Sequence, residues 1–238
     1  NFMNKKKIHA VILARGGSKE VPRKNLLKLG NKTLVDLAIQ SANESKLLTR
    51  TIFSTDDDEI LDVAIKAGAY APFIRPAKFA QDNSSTFSVV KHAVEWLEIN
   101  EKWITDIVVI LQPTTPFRRG SHIDAAIEIL LKQDADAVIT VKKPDYPPHW
   151  MVEMDLNHKL TNLIQGGNRF LRRQETPEVY QPAGLVYAFK YNLLSSMDTL
   201  LPFGNTRGLV VSESEAINID TLMHYELAKI YYKKNEQF

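Results

Sequence analysis

Short apolar segments alternate with amphipathic ones through residues 8–142 of the chain. Five of the apolar segments have the length of buried strands, and we predict strands at 9–14, 51–54, 71–74, 107–111 and 137–141. The segments between them have helical spacing, which predicts helices at 58–67, 87–97 and 121–133. Gly68 is typical of the position after a helix, and Ser121 with Asp124 has the spacing of a capping box. This alternation predicts an α/β fold, a mostly parallel sheet with helices on both faces.

Residues 143–182 break the pattern. They contain five prolines with large apolar residues such as Trp150 between them, which is typical of a segment that leaves the core. Such a segment is either a subunit contact or a lid over a ligand. A strand then returns at 184–189, and a last helix at 221–234 is expected to bury Met223, Leu227, Ile230 and Tyr231. We therefore expect one domain over 1–238 with a protruding arm.

The composition narrows the possible classes of protein. A length of 238 residues suits one large domain, and a charged fraction of 24% is ordinary for a globular protein. A net charge of +2 gives no general reason to expect nucleic acid or membrane partners. The absence of cysteine excludes disulfides, thiolate metal sites and a cysteine nucleophile. No apolar run approaches the ~18 residues of a membrane span, and residues 1–7 lack a signal-peptide core, so we expect a soluble cytoplasmic protein.

The strongest chemical signal directly follows the first predicted strand. It is the segment Arg15-Gly16-Gly17-Ser18-Lys19, with Arg23-Lys24-Asn25 shortly after it. Adjacent glycines let backbone amides approach a ligand, and four basic side chains supply positive charge, which together suit a nucleotide triphosphate. Neither the P-loop spacing nor the three-glycine dinucleotide fingerprint fits. A solvated surface turn is the alternative, but it does not explain two glycines directly after a buried strand.

Further segments complete a recognisable series along the chain. They are Ser54-Thr55-Asp56-Asp57, Arg75-Pro76-Ala77, Asp82-Asn83-Ser84-Ser85-Thr86, Leu111-Gln112-Pro113-Thr114-Thr115-Pro116 with Arg118, and Asn218-Ile219-Asp220-Thr221. With the glycine-rich loop, they make the chain resemble the acylneuraminate cytidylyltransferase family. Its members are CMP–sialic acid synthetases and relatives that activate legionaminic, pseudaminic and similar nonulosonic acids. The resemblance implies a Rossmann-like nucleotidyltransferase fold.

The resemblance also implies a reaction. The anomeric hydroxyl of a nine-carbon 2-keto sugar acid attacks the α-phosphorus of CTP, which gives a CMP-sugar and pyrophosphate with Mg²⁺ as cofactor. A homodimer is implied as well. Positioning of the substrates and neutralisation of phosphate charge are the main requirements of such a transfer, and the basic loop suits them.

Roles for individual residues follow from the same resemblance. Catalysis is assigned to Arg15, Lys24 and Asp220. The sugar is assigned to Gln112, Arg173 and Gln174, and the metal to Asp220 and Asn218. The nucleotide is assigned to Ala14, Arg15, Gly16, Gly17, Ser18, Lys19, Asn25, Arg75, Ser84 and Thr86. From the residues alone, Arg75 could instead cap a strand end, Arg173 could be part of a solvated basic face, and Asp220 could cap the last helix.

Three departures from the family pattern bear on the substrate. Asn218 replaces a commonly found aspartate, the segment 181–184 replaces Arg-Pro-Asn-Gly, and a basic residue is missing near His149. The last two predict a sugar pocket that differs from an N-acetylneuraminate pocket. Other possibilities stay open: another sugar acid such as KDO, another nucleotide such as GTP, a non-catalytic CTP-binding relative, or a glycosyltransferase that uses the carboxylates of residues 56–58.

Overall fold

The structure is a computed structural model, and it describes residues 6–18, 20–81, 84–197 and 199–235. The strands, in chain order, are β1 (Ile8–Leu13), β2 (Lys28–Leu29), β3 (Lys32–Thr33), β4 (Arg50–Ser54), β5 (Ile107–Leu111), β6 (Ala137–Lys142), β7 (Val152–Met154), β8 (Leu160–Asn162), β9 (Gln181–Lys190) and β10 (Thr206–Val210). The α-helices are α1 (Leu34–Glu44), α2 (Asp58–Lys66), α3 (Thr86–Glu101), α4 (Gly120–Lys132) and α5 (Leu222–Asn235).

Six of the strands found in the described ranges form one sheet, in the order β10-β6-β9-β5-β1-β4. β1 runs parallel to both of its neighbours, β4 and β5, and β10 runs parallel to β6. β9 lies between β5 and β6 and is antiparallel to both. The predicted α/β fold with a mostly parallel sheet is therefore confirmed. The returning strand begins earlier than predicted, at Gln181, and occupies the middle of the sheet.

The predicted strand at 71–74 is wrong. This segment follows the edge of β4, where the Phe53 amide donates to the Tyr70 carbonyl at 2.8 Å and the Arg75 amide donates to the Thr55 carbonyl at 2.7 Å. It forms no ladder between these two contacts. Pro72 and Pro76 have no N–H to donate, which prevents a regular strand here.

The predicted helix at 121–133 is present as α4, but the predicted capping box is wrong, because Asp124 does not cap this helix. Its carboxylate accepts hydrogen bonds from the Ser45 hydroxyl at 2.6 Å and from the backbone amides of Lys46 and Leu47. The acidic side chain therefore fixes the loop between α1 and β4. The helix begins at Gly120, one residue before the predicted start.

Helices cover both faces of the sheet. α1, α2 and α4 bury apolar side chains against one face. α3 buries the predicted set against the other, namely Phe87, Val90, Val94 and Leu97. The carboxyl ends of the parallel strands lie at one edge of the sheet. The helices cover the two faces and leave this edge open for a ligand.

The prediction for the last helix fails for three of its four residues. Met223 is 76% exposed, and Leu227 and Ile230 are also exposed. Because both faces of the sheet are already covered, α5 packs at the edge, through Ala228 against a small cluster around Leu29 and Ile219. Tyr231 is half-buried, and its ring meets the Phe117 ring edge-on at 4.6 Å.

Residues 143–180, which we call the arm, leave the sheet after β6 and return at β9. The arm contains the β7–β8 hairpin, and the Trp150 indole donates to the Phe170 carbonyl at 2.8 Å. Many apolar side chains of the arm are exposed, including Met151, Met154, Leu156, Leu160, Leu163 and Leu171. In the described parts of the chain, no helix is both long enough and apolar enough to cross a membrane.

Candidate active site

A cleft of about 310 Å³ opens at the carboxyl ends of β1 and β5. Its walls bring together nine of the predicted residues: Arg15, Gly17, Ser18, Lys24, Asn25, Arg75, Ser84, Thr86 and Gln112. Seven further residues in the walls had not been predicted, among them Phe79, Gln81 and Thr114. Phe79 follows the predicted Arg75-Pro76-Ala77 segment closely, and that proximity is the only sequence signal for it.

The glycine-rich loop enters the cleft with only part of its backbone free. Ala14 is fully buried and its amide donates to the Ser54 carbonyl at 3.1 Å. The Gly16 amide donates to Asp56 Oδ1 at 3.0 Å. These two amides are therefore occupied, and Ala14 and Gly16 are not part of the cleft lining, whereas Arg15, Gly17 and Ser18 are. Lys19 lies outside the described residues.

Asn25 closes the loop. Its side chain is buried, and Nδ2 donates to the Arg15 carbonyl at 3.0 Å, so that the start and the end of the loop are joined. Both Arg15 and Lys24 are half-buried and line the cleft. The loop thus presents two cations to one ligand volume.

Arg23, which the sequence places among the cations for a phosphate, is directed elsewhere. Its guanidinium donates to Asp57 Oδ2 at 2.6 Å and to Asp57 Oδ1 at 3.0 Å, and it also contacts Glu59. The hydrogen bond from Arg23 is the main reason that the pKa of Asp57 lies below its usual value. The expectation that all four basic residues face the ligand is therefore wrong for Arg23.

Arg75 caps a strand end and also lines the cleft, so its assignment to the nucleoside stays a prediction. Its Nε donates to Ser54 Oγ at 3.0 Å and its Nη2 donates to the Ser54 carbonyl at 2.6 Å, at the end of β4. It also lines the cleft. Burial lowers the pKa of Arg75 to about 10, which keeps the guanidinium protonated at neutral pH.

The start of α3 faces the same cleft. Ser85 caps this helix by accepting from the Phe87 amide at 3.2 Å, and Thr86 is the first helical residue. The Ser84 hydroxyl donates to the Lys78 carbonyl at 3.2 Å. The partial positive charge of a helix N-terminus therefore adds to the basic character of the cleft.

The carboxylate of Asp220 lies next to the cleft. Its Oδ1 is 3.5 Å from Lys24 Nζ, and its Oδ2 accepts from Asn218 Nδ2 at 2.9 Å. The Ile219 amide donates to the Thr114 carbonyl at 2.8 Å, which fixes this segment to the end of β5. The capping role proposed for Asp220 goes instead to Thr221, whose hydroxyl accepts from the His224 amide, in the first turn of α5, at 3.3 Å.

Asn218 and Asp220 fit a hard divalent cation. Asn218 Oδ1 is buried and has no hydrogen-bond partner in the described part of the chain, which is unusual for a buried amide oxygen. Asn218 is hydrogen-bonded to Asp220 through Nδ2, so an amide oxygen and a carboxylate lie on neighbouring side chains. Over the described ranges, no group of three or more His, Cys, Asp or Glu side chains could hold a metal ion. Magnesium commonly takes few protein ligands and completes its shell with phosphate oxygens and water.

Gln112 lies at the end of β5 with its side chain on the cleft wall. Its backbone carbonyl accepts from Arg118 Nη1 at 3.0 Å and from the Thr115 hydroxyl at 3.0 Å. The turn that carries Gln112 is therefore held from behind, and the side-chain amide is left for a ligand.

Arg118 is a buried residue behind the site to which the sequence gave no role. Its guanidinium donates to Ser41, Gln112, Thr115 and the Leu185 carbonyl, and no carboxylate among the described residues pairs with it. Burial lowers its pKa to about 9, so it stays protonated at neutral pH. The sequence signals for it were its place among the segments that carry the family resemblance and its position shortly after Pro116.

Arg173 and Gln174 do not join the cleft within one protomer. They are exposed residues of the arm and line a separate groove of about 290 Å³. The Arg173 guanidinium donates to the Pro144 carbonyl at 2.8 Å, which holds it against the base of the arm. Their assignment to the sugar stays a prediction.

A basic cleft at the carboxyl edge of a mostly parallel sheet, with a carboxylate beside its lysine, defines a nucleotide-binding α/β protein. Comparison with known proteins gives the family. The cytidylyltransferase family model matches residues 9–200. The chain therefore belongs to the cytidylyltransferase family and is an enzyme of that class, as its resemblance to the acylneuraminate cytidylyltransferases predicts.

Two relatives and one solved structure illustrate the similarity. The chain is 31% identical to the CMP-N,N'-diacetyllegionaminic acid synthase of Campylobacter jejuni subsp. jejuni serotype O:2, over 93% of each protein. It is 29% identical to the pseudaminic acid cytidylyltransferase of the same organism, over 95% of this chain and 97% of the relative. A CMP:2-keto-3-deoxy-manno-octonic acid synthetase in complex with CTP shares the fold, with a TM-score of 0.69, 17% identity and coverage of 98% and 100% of the two chains.

Proposed function

We propose that the enzyme transfers the cytidylyl group of CTP to a nonulosonic acid and uses Mg²⁺. The observation that carries the proposal is the single cleft that gathers Arg15, Lys24, Arg75 and Gln112 beside Asp220. Relatives of nearly equal length are named for pseudaminic and legionaminic acids, which supports a substrate of that class. The cytoplasm, where CTP is available, is the compartment we propose for the reaction.

In the proposed reaction, the anomeric oxygen of the sugar acid forms a bond to the α-phosphorus of CTP. The bond from that phosphorus to the oxygen bridging to the β-phosphate breaks, pyrophosphate leaves, and the hydroxyl proton passes to water. Arg15 and Lys24 hold the phosphates and oppose the charge that develops on the leaving group. Arg75, Ser84 and Thr86 hold the nucleoside. Gln112 orients the sugar.

Asp220 and Asn218 are the residues that would hold the metal. Bound Mg²⁺ supplies further neutralisation of the phosphate charge. The 3.5 Å contact places Asp220 beside Lys24, which lines the cleft, so the carboxylate lies next to a phosphate-binding cation. The one carboxylate and one amide oxygen make the site less negative than a pair of carboxylates, so the substrate phosphates carry more of the binding.

The sugar in this proposal differs from N-acetylneuraminate. The segment 181–184 reads Gln-Pro-Ala-Gly, so it has no cationic side chain, and Ala183, which stands where the family pattern has asparagine, is buried. Gly184 has φ of +75°, and a Cβ atom there would lie 3.7 Å from Thr115 Cγ2. This backbone lies close to the turn that carries Gln112 and Thr115 and adds no charged side chain there, which favours a mainly neutral sugar pocket around Gln112.

The test is pyrophosphate release from CTP and Mg²⁺ with a panel of sugar acids: N-acetylneuraminate, legionaminate, pseudaminate and KDO. We expect release with legionaminate or pseudaminate and a weaker response to N-acetylneuraminate. GTP in place of CTP should not support the reaction. Release with KDO alone would move the substrate to the eight-carbon class, and CTP binding without release from any acid would refute the proposed activity.

The arm supports a further proposal, a homodimer. Its exposed apolar side chains, among them Leu156 and Leu171, form a surface that monomeric proteins rarely leave open to water. A dimer through the arm would also give Arg173 and Gln174 a route to the cleft of the partner subunit. Sedimentation velocity should give a dimer, and Leu156→Asp with Leu171→Asp should shift it to a monomer. A wild-type monomer at micromolar concentration would refute this assembly.

A further inference from the structure

Two adjacent carboxylates hold the two ends of the glycine-rich loop. Near the start of the loop, the Gly16 amide donates to Asp56 Oδ1 at 3.0 Å. Near its end, Arg23 donates to both oxygens of Asp57, at 2.6 and 3.0 Å. Both carboxylates lie in the short segment between β4 and α2, which is itself fixed at the end of the sheet. The loop is thus folded onto a rigid neighbour at both ends.

Arg23 adopts a backbone conformation that is uncommon for a residue with a side chain. Its φ is +55° and its ψ is 30°, in the left-handed region. This conformation begins the short 3-10 turn Lys24–Leu26, so it sets the direction in which Lys24 leaves the backbone. A conformation of this kind persists when surrounding contacts hold it, and the fork between Arg23 and Asp57 is such a contact.

Asp57 is itself held in place. Its Oδ1 caps α2 by accepting from the Ile60 amide at 2.9 Å, while the same carboxylate accepts from Arg23. Gly16 packs directly against it, because a Cβ atom at Gly16 would lie 2.8 Å from Asp57 Cβ. A helix cap, a glycine contact and an ion pair therefore converge on one carboxylate.

We infer that the Arg23–Asp57 pair is a latch that positions Lys24 and the glycine-rich loop for CTP, and that Arg23 itself is not a phosphate ligand. The inference rests on the proposed function, because it takes Lys24 to be the phosphate cation. Arg23 is a positioning residue, and it acts through Lys24, the residue that follows it. Arg23 Nη2 also donates to Glu59, at the start of α2, and Arg23 is absent from the cleft lining.

The two possible roles of Arg23 give opposite expectations for Asp57. If Arg23 binds phosphate, removal of the nearby negative charge of Asp57 should leave CTP binding unchanged or strengthen it, because repulsion of the triphosphate falls. If the pair is a latch, the same removal should weaken CTP binding and slow turnover. Asp57→Asn separates these cases cleanly, since asparagine still caps α2 but carries no charge.

The experiment measures kcat and KM for CTP in Asp57→Asn, Arg23→Gln, Arg23→Lys and the double variant Arg23→Gln/Asp57→Asn. Matched controls are Asp62→Asn on the exposed side of α2 and Arg207→Gln on the edge strand β10. We expect each single variant at the latch to lower kcat/KM by about 10- to 100-fold, as small misplacements of reacting groups do. Arg23→Lys should not rescue, because an ammonium lacks the fork that bridges both carboxylate oxygens. The thermal unfolding midpoints should stay close to wild type.

The double variant should be no slower than the slower single variant, because either single substitution already breaks the Arg23–Asp57 pair and the second has nothing further to remove. Effects that multiply in the double variant, wild-type rates in Asp57→Asn, or full activity in Arg23→Lys would each overturn the latch. A failure of wild type and of both controls to release pyrophosphate with any sugar acid is a different result, because it refutes the proposed function. The latch is then tested by calorimetric titration with CTP, where weaker binding by Asp57→Asn supports it and equal binding overturns it.

Discussion

Replacing Arg118 with methionine removes a fully buried guanidinium and keeps an unbranched apolar side chain in its place. The guanidinium donates from Nε to Ser41 Oγ at 3.0 Å and from Nη1 to the Leu185 carbonyl at 3.1 Å. It also donates to the Gln112 carbonyl and to the Thr115 hydroxyl. One residue thereby joins α1, the turn after β5, and β9 behind the cleft.

Two opposing effects decide the cost of Arg118→Met. The Gln112 carbonyl keeps a donor in Thr115, so the Leu185 carbonyl and the hydroxyl oxygens are the acceptors that lose a donor. A buried acceptor without a donor costs about 1–3 kcal/mol. Burial of an unpaired cation is itself unfavourable, as the lowered pKa of Arg118 indicates, and its removal offsets part of the loss. We expect a net destabilisation of about 2–4 kcal/mol.

The measurement is urea unfolding followed by tryptophan fluorescence. The unfolding free energies of variant and wild type are compared provided that the dependence of that free energy on urea concentration, the m-value, is unchanged. The adjacent residue offers a matched control. Arg119 has a side chain that is 63% exposed and pairs with Glu215, so Arg119→Met should cost less than about 1 kcal/mol. A folded Arg118→Met variant within 1 kcal/mol of wild type, or more stable than it, would refute the reasoning, because desolvation of the cation would then outweigh its four hydrogen bonds.

Four further predictions follow from single contacts. Lys24→Ala should lower kcat for pyrophosphate release by about 10²- to 10³-fold with the fold intact, and a rate above a tenth of wild type would contradict its phosphate role. Asn218→Asp should lower the Mg²⁺ concentration for half-maximal rate, because a second carboxylate replaces a neutral oxygen, and an unchanged requirement would contradict this. Burial and two basic neighbours lower the pKa of His9 from 6.5 to about 4. The unfolded chain therefore binds a proton in that window that the folded chain does not, and stability should fall by up to about 3 kcal/mol as pH falls from 6.5 to 4, but not in His9→Val. Gly120→Ala would place a Cβ atom 2.5 Å from the backbone of α1 and should cost about 1–3 kcal/mol, whereas Gly17→Ala, with open space around it, should leave the unfolding free energy within about 0.5 kcal/mol of wild type.

Much of the fold and the core of the site could be predicted because their signals are local. A buried strand followed by two glycines and basic residues fixes both the position of Arg15 and its neighbourhood at the sheet edge. Gln112 could be placed for the same reason, at the end of an apolar strand. These predictions need only strand direction and the rule that ligands bind at the carboxyl ends.

The predictions fail where the environment of a residue is set by a partner that lies far away in the sequence. Helical spacing predicts the helix α5 and the apolar residues on it. It does not show that other helices already cover both faces of the sheet and leave these residues exposed. Nothing near Arg23 in the sequence distinguishes it from Lys24, since its partner Asp57 is 34 residues away. The four acceptors of Arg118 lie on three different elements. Such contacts depend on how the strands and helices are arranged in the fold, and the local sequence pattern does not contain that arrangement.

The position of β9 has a consequence for how this enzyme can diversify. Lys142 at the end of β6 lies directly opposite Gln181 at the start of β9, so the whole arm is an insertion at the tip of an antiparallel hairpin. A tight turn could join these two strands without any change of register. The arm can therefore be lengthened, exchanged or excised during evolution while the six-stranded sheet keeps its connectivity. The proposed subunit contact and the nucleotide cleft therefore lie on parts of the chain whose sequences can change independently.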